Sequence, residues 1–188
     1  KQKTAYEMEG VTALRVDYRW GVGGQLAAIM APAEKFNKAG YALRAATHIG
    51  AIGYDVALTL HQVEDATSLD PDSLEPVYQR RRAVGFDFSG GLLGLGFWFE
   101  GNYNDMEMED DFIRFITGFD YTLENGLYMI FEGLYDGRAE EDTPYEVRDW
   151  LENIYFAEPV SRYRLMAGLR KDLTDLTTGS IYFFGGTD

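Results

Sequence analysis

Two residues of this 188-residue chain, His48 and Asp55, have the types that acid–base catalysis or metal ligation uses. They flank the short turn Gly50–Gly53, so a hairpin there makes them cross-strand neighbours. A plain ion pair on the polar face is the reading preferred for them. His61 lies far along the same strand, and Ser89 falls on a short turn, so no nucleophilic triad forms. The carboxylates Glu107, Glu109, Asp110 and Asp111 suit divalent cations in type but lack the spacing of a calcium loop. A solvated acidic loop explains them. The Gly-rich stretches match no phosphate-binding motif in a strand-to-helix context. Val147, Trp150, Leu151, Ile154 and Tyr155 recur at helical spacing among Arg148, Asp149 and Glu152. A short amphipathic helix presenting Trp150, Leu151 and Ile154 would constrict a lumen, dock a partner or cap a rim. No catalytic set, metal site or cofactor is expected, and therefore no enzyme.

Composition narrows what must position these residues. Aromatics make up 15% of the chain, Gly numbers 21, and Pro only 5. Thirteen Tyr and twelve Phe exceed the usage of an ordinary soluble domain and imply a surface that uses aromatics. Cysteine is absent, which excludes disulfides and thiolate metal sites. The net charge of −14 argues against nucleic acid and against an anionic membrane surface as partners. The longest apolar run is about ten residues, half of what a spanning helix needs, yet enough for a barrel strand of ~9–11. No signal peptide is visible at the start. The length suits a single domain, 1–188.

Period-two alternation recurs along the chain. Val11–Trp20 carries Thr12, Leu14, Val16, Tyr18 and Trp20 on one side and Arg15, Asp17 and Arg19 on the other, and Gly24–Met30 follows a Gly-Val-Gly turn. Tyr41–Ile49 and Tyr54–Gln62 form a hairpin that faces Leu43 with Leu60, Ala45 with Leu58 and His48 with Asp55. In Arg82–Tyr103, a two-residue turn at Gly90-Gly91 would face Phe88 with Leu93, Phe86 with Leu95, Val84 with Phe97 and Arg81 with Glu100. Phe112–Tyr121 pairs with Leu127–Tyr135, and Arg162–Lys171 with Thr177–Phe184, whose own register is ambiguous. Val63–Val77, Asn104–Asp110 and Asp136–Pro159 read as long loops. About ten strands thus alternate short and long connections, the pattern of a transmembrane up-and-down antiparallel β-barrel.

The apolar face is expected to meet lipid. Its aromatics fall near strand ends: Tyr18, Trp20, Tyr54, Phe88 and Tyr121 at the short-turn end, Tyr41, Tyr103, Tyr135 and Tyr163 at the other. The polar face carries Arg15, Asp17, Arg44, His48, Asp55, Asp87, Glu100, Arg114, Asp120, Glu132, Arg164 and Arg170, the expected lumen lining. The reverse arrangement is a soluble barrel with this face solvated.

The stretches FIRFITGFDYTLENGLYMIFEGLYDG and YRLMAGLRKDLTDLTTGSIYFF resemble bacterial outer-membrane β-barrel proteins of the porin-like kind. The pattern at Gly118–Tyr128 is similar to adjacent strands of that class. Complete barrels of the class commonly end on an aromatic residue. Here Phe184 is followed by Gly185, Gly186, Thr187 and Asp188, a departure that fits a segment of a larger barrel. The resemblance implies outer-membrane lipids as surroundings and passive passage of small hydrophilic solutes or ions. Acidic loops would add a mild cation preference and contacts to divalent cations. The alternatives are a structural barrel acting as sleeve or anchor for a protein partner, with homo-oligomers included, and a soluble ligand-binding barrel.

Overall fold

The structure, a computed structural model, describes residues 13–33, 38–50, 54–70, 73, 75–139 and 161–187. Ten strands run in chain order: β1 (Leu14–Trp20), β2 (Gly24–Ala31), β3 (Gly40–Ile49), β4 (Tyr54–Leu69), β5 (Pro76–Leu92), β6 (Leu95–Met106), β7 (Phe112–Thr122), β8 (Tyr128–Asp136), β9 (Tyr163–Thr174) and β10 (Thr177–Thr187). They form one antiparallel sheet in which each strand pairs with its sequence neighbours. The meander is as expected. A closed barrel is not formed by these strands: β1 and β10 are each paired on one side only, so the ladder that closure requires is missing.

The register sorts the side chains into two faces. One carries Val16, Leu43, Leu58, Phe86, Phe97, Phe119, Phe131, Leu165 and Phe183, each in register with apolar neighbours. The other carries the charged and small residues. Among the described residues the core lies on this second face. Ala57 and Ala83 are 5% exposed, Gln79 and Asn104 2%, and Asp136 0%. The apolar face is open: Leu58 is 49% exposed, Phe86 46% and Phe119 45%. No other part of the described chain covers it.

The β3–β4 hairpin has the expected register, with Leu43 opposite Leu60, Ala45 opposite Leu58 and His48 opposite Asp55. The β5–β6 hairpin does not. Its turn is Leu93-Gly94, with φ of 55° and 82°, the two positive values a type I′ turn requires. Phe88 therefore faces Phe99 rather than Leu93, and Val84 faces Tyr103 rather than Phe97. The reason lies at Gly90. A Cβ there would stand 1.9 Å from Cδ1 of Tyr54, so Gly90 is a mid-strand seat for that ring and not a turn residue. Tyr54 then packs on Phe88 and Phe97, with centroids 5.2 and 5.7 Å away. Placing Leu93 in the left-handed region costs about 1–2 kcal/mol. The longer ladder and the aromatic cluster, whose pairs each contribute ~0.5–1.5 kcal/mol, offset it. Gly90→Ala is expected to destabilise the protein by about 1–3 kcal/mol through overpacking against Tyr54, read as a shift in the urea unfolding midpoint.

Two further corrections concern the loops. Most of Val63–Val77 is strand, because β4 and β5 run for 16 and 17 residues and join across 70–75. Asn104–Met106 belongs to β6, and only 107–111 connects it to β7. Phe88, expected at a strand end, is consequently mid-strand. In the last hairpin Ile181 faces Leu169 and Phe183 faces Ala167, which puts Tyr182 and Phe184 on the polar face.

Candidate functional site: the polar face of the sheet

All twelve polar-face residues singled out in the sequence share one face of the sheet. Adjacent rows show how the strands bring them together. Arg44, Thr59, Gly85, Asn102, Arg114 and Asp136 follow one another across β3 to β8. The next row toward the short turns runs Ala57, Asp87, Glu100, Ile116, Leu134 and Arg164.

Arg44 Nη2 donates to both carboxylate oxygens of Asp87, at 2.9 and 3.1 Å. The pair reaches from β3 to β5 across β4, over the small side chain of Ala57, which is opposite Asp87. Both partners are about a third or more exposed, at 43% and 34% for the side chains, so the pair stabilises the sheet by about 1 kcal/mol at most. Arg15 donates through Nε and Nη2 to Asp17, which also accepts from Gln25. His48 Nδ1 lies 3.0 Å from Asp55 Oδ1, the cross-strand pair read from the sequence. Tyr128 donates its hydroxyl to Asp120. The expected pairing of Arg81 with Glu100 is absent as a register: Arg81 faces Met106, and Glu100 faces Asp87. The displaced β5–β6 turn causes this. Among the described residues Glu100 and Glu132 have no hydrogen-bonding or ionic partner.

The sequence gives little sign of what happens at the long-connection end. Asp136, read as the first residue of a loop, is the last of β8 and fully buried. It accepts from the backbone amide, Nε and Nη2 of Arg138, and Arg114 Nε stands 3.5 Å away. Arg138 also lies over the ring of Phe112, 5.0 Å from its centroid. Arg162 donates to the carbonyl of Ala139, and the Asp136 amide donates to the carbonyl of Arg162. Residues 136–139 and 162 thus form one latch at the base of the longest connection. The only signal for it is Asp136 two residues before Arg138.

The 107–111 connection is held from three sides. Glu107 accepts from Arg80, Met108 donates its amide to Gln79 Oε1, and Asp111 accepts from the Tyr103 hydroxyl and the Met106 amide. The Tyr103 hydroxyl first, and the amide second, hold the Asp111 carboxyl below its usual range. In the β2–β3 connection the Lys38 ammonium is held above its usual value by Glu64 of β4 through a 2.6 Å hydrogen bond. The acidic run Glu107, Glu109, Asp110 and Asp111 is therefore partly engaged by its own neighbours. Among the described residues no group of three or more His, Cys, Asp or Glu is placed to hold a metal ion. The helix expected around Trp150, Leu151 and Ile154 lies outside the described residues.

Comparison with protein-family models, with curated proteins and with solved structures finds no match to the chain.

Proposed function

We propose that this chain forms the wall of a transmembrane up-and-down β-barrel in a bacterial outer membrane. It acts there as a porin-like channel for passive passage of small hydrophilic solutes or ions. One observation carries the reading. The apolar face is exposed across the sheet while charges gather and pair on the opposite face. Monomeric soluble proteins rarely expose apolar patches beyond a few hundred Å², and burying each large side chain is worth about 1.5–3 kcal/mol. A bilayer supplies that burial along the whole face.

Two features support it. The apolar-face positions of β6 run from Leu95 to Tyr103, a span of about nine residues, the length a tilted strand needs to cross the hydrocarbon. Tyr41, Tyr103, Tyr135 and Tyr163 fall at its upper boundary, with Tyr135 and Tyr163 directly paired. The row of Tyr41 continues on the same face through Gln62, Arg82 and Asp105, which are joined by hydrogen bonds. In a bilayer the outer edges of β1 and β10 must be paired, with each other or with further strands. The polar face then lines the lumen, and its charges set selectivity.

Purified protein reconstituted in a planar bilayer is expected to show discrete conductance steps. Absence of conductance from inserted, folded protein would overturn the channel reading. The overshoot of β4 and β5 past the apolar band favours a second reading, a barrel that anchors a protein partner on that hairpin. A partner recovered in stoichiometric amount with inserted but non-conducting protein would select it.

A further inference from the structure

We propose that the short-turn end of β8–β10 carries a binding site for the oxyanion group of a small organic solute, centred on Arg170. A cleft of about 520 Å³ opens there on the polar face, lined by Thr122, Tyr128, Ile130, Arg170, Asp172 and Tyr182. Tyr128 and Arg170 are direct cross-strand neighbours. Among the described residues Arg170 has neither a hydrogen bond nor an ion pair, and neither does the Tyr182 hydroxyl. Two strong donors thus face one space with no acceptor of their own.

The two carboxylates nearby each take a hydroxyl donor and not the guanidinium. Asp172 accepts from the Thr178 hydroxyl at 2.6 Å, and Asp120 accepts from Tyr128 at 3.3 Å. With its proton directed at Asp120, the Tyr128 hydroxyl presents an acceptor oxygen to the cleft. The floor is built for a flat ring. Gly168 lies opposite Tyr182, and a Cβ there would stand 2.6 Å from both Cδ1 and Cε1 of that ring. Tyr182 therefore lies on bare backbone beside Ile130, whose Cγ2 is also within 2.8 Å of that position. A guanidinium binds carboxylate or phosphate through two parallel hydrogen bonds. The Tyr182 hydroxyl adds a third donor, and the Tyr182 ring with Ile130 takes the apolar body of the solute. The site belongs to a single copy of the chain and does not depend on conduction.

Isothermal titration of the detergent-solubilised full chain with benzoate, acetate and inorganic phosphate at fixed ionic strength tests this. Saturable binding is expected, weakened at least tenfold in Arg170→Gln and less in Arg170→Lys, which keeps the charge but loses the paired hydrogen bonds. Gly168→Ala, which displaces the Tyr182 ring, should weaken benzoate more than phosphate. Arg82→Gln, on the opposite face of β5 at the long-connection end, should leave binding within twofold. Tighter benzoate than phosphate marks carboxylate solutes; the reverse order marks phosphorylated ones. The proposal is overturned if the wild-type chain binds none of the three saturably. It is equally overturned if Arg170→Gln, folded by circular dichroism, binds as the wild type does.

Discussion

Phe86→Arg is expected to destabilise the protein by about 2–4 kcal/mol in lipid vesicles, the cost of a cation near the bilayer midplane on the outside of a barrel. Phe86 lies in mid-strand on β5, on the apolar face, and is 46% exposed in the chain itself. It touches Phe99 at a centroid distance of 6.3 Å, so loss of that contact contributes only a fraction. Were the apolar face to meet water instead, arginine there would be nearly neutral, within about 0.5 kcal/mol. The magnitude separates lipid from water at this face. A soluble barrel that packs the face inside, where arginine is equally costly, is separated by its solubility without detergent. Ser89→Arg on the opposite face is the control, expected to change stability by less than about 1 kcal/mol because that face is already charged. Urea titration followed by tryptophan fluorescence measures both. A neutral Phe86→Arg, together with wild-type protein that stays monodisperse without detergent, would remove the bilayer from the account.

Asp136→Ala should be the most damaging change on the polar side, at about 3–5 kcal/mol. The carboxylate is fully buried and accepts three donors of Arg138, with Arg114 close by. Its loss leaves a guanidinium only 17% exposed without the anion that neutralises it. Asp136→Asn keeps the shape and part of the hydrogen bonding and should cost less, about 1–3 kcal/mol. Asp87→Ala, in contrast, breaks an ion pair open to solvent and should stay near 1 kcal/mol. Unfolding midpoints of the three variants give the order. Equal effects of Asp136→Ala and Asp87→Ala would mean that the latch contributes no more than an exposed pair.

The contrast between these residues shows what a sequence can carry. Period-two alternation assigns a face, and that assignment held even where the register did not. The β5–β6 turn lies three residues further along than the Gly-Gly pair suggests, yet Phe86 and Phe88 remain on the apolar side. Moving a two-residue turn by any whole number of residues shifts each cross-strand partner by twice that number, so parity survives. The position of a turn is harder to read, because Gly90 serves a neighbouring strand's Tyr54, a contact that local pattern does not report. The reach of β4 and β5 was hidden by acidic composition, which reads as loop although an exposed hairpin tolerates it. Arg44 with Asp87 and Asp136 with Arg114 are contacts between strands, fixed only once the registers are known. The cleft at Arg170 needed the register of β10, where Ile181, Tyr182, Phe183 and Phe184 run together without alternation.

Ten is an even number, and each strand reverses the one before it. Leu14 at the start of β1 and Thr187 at the end of β10 therefore leave the sheet on the same side. It is the side of connections 32–39, 70–75 and 107–111, and the opposite of 21–23, 93–94 and 175–176. Epitope tags joined at the two ends would share one compartment across any barrier the sheet spans. A single impermeant label would reach both or neither.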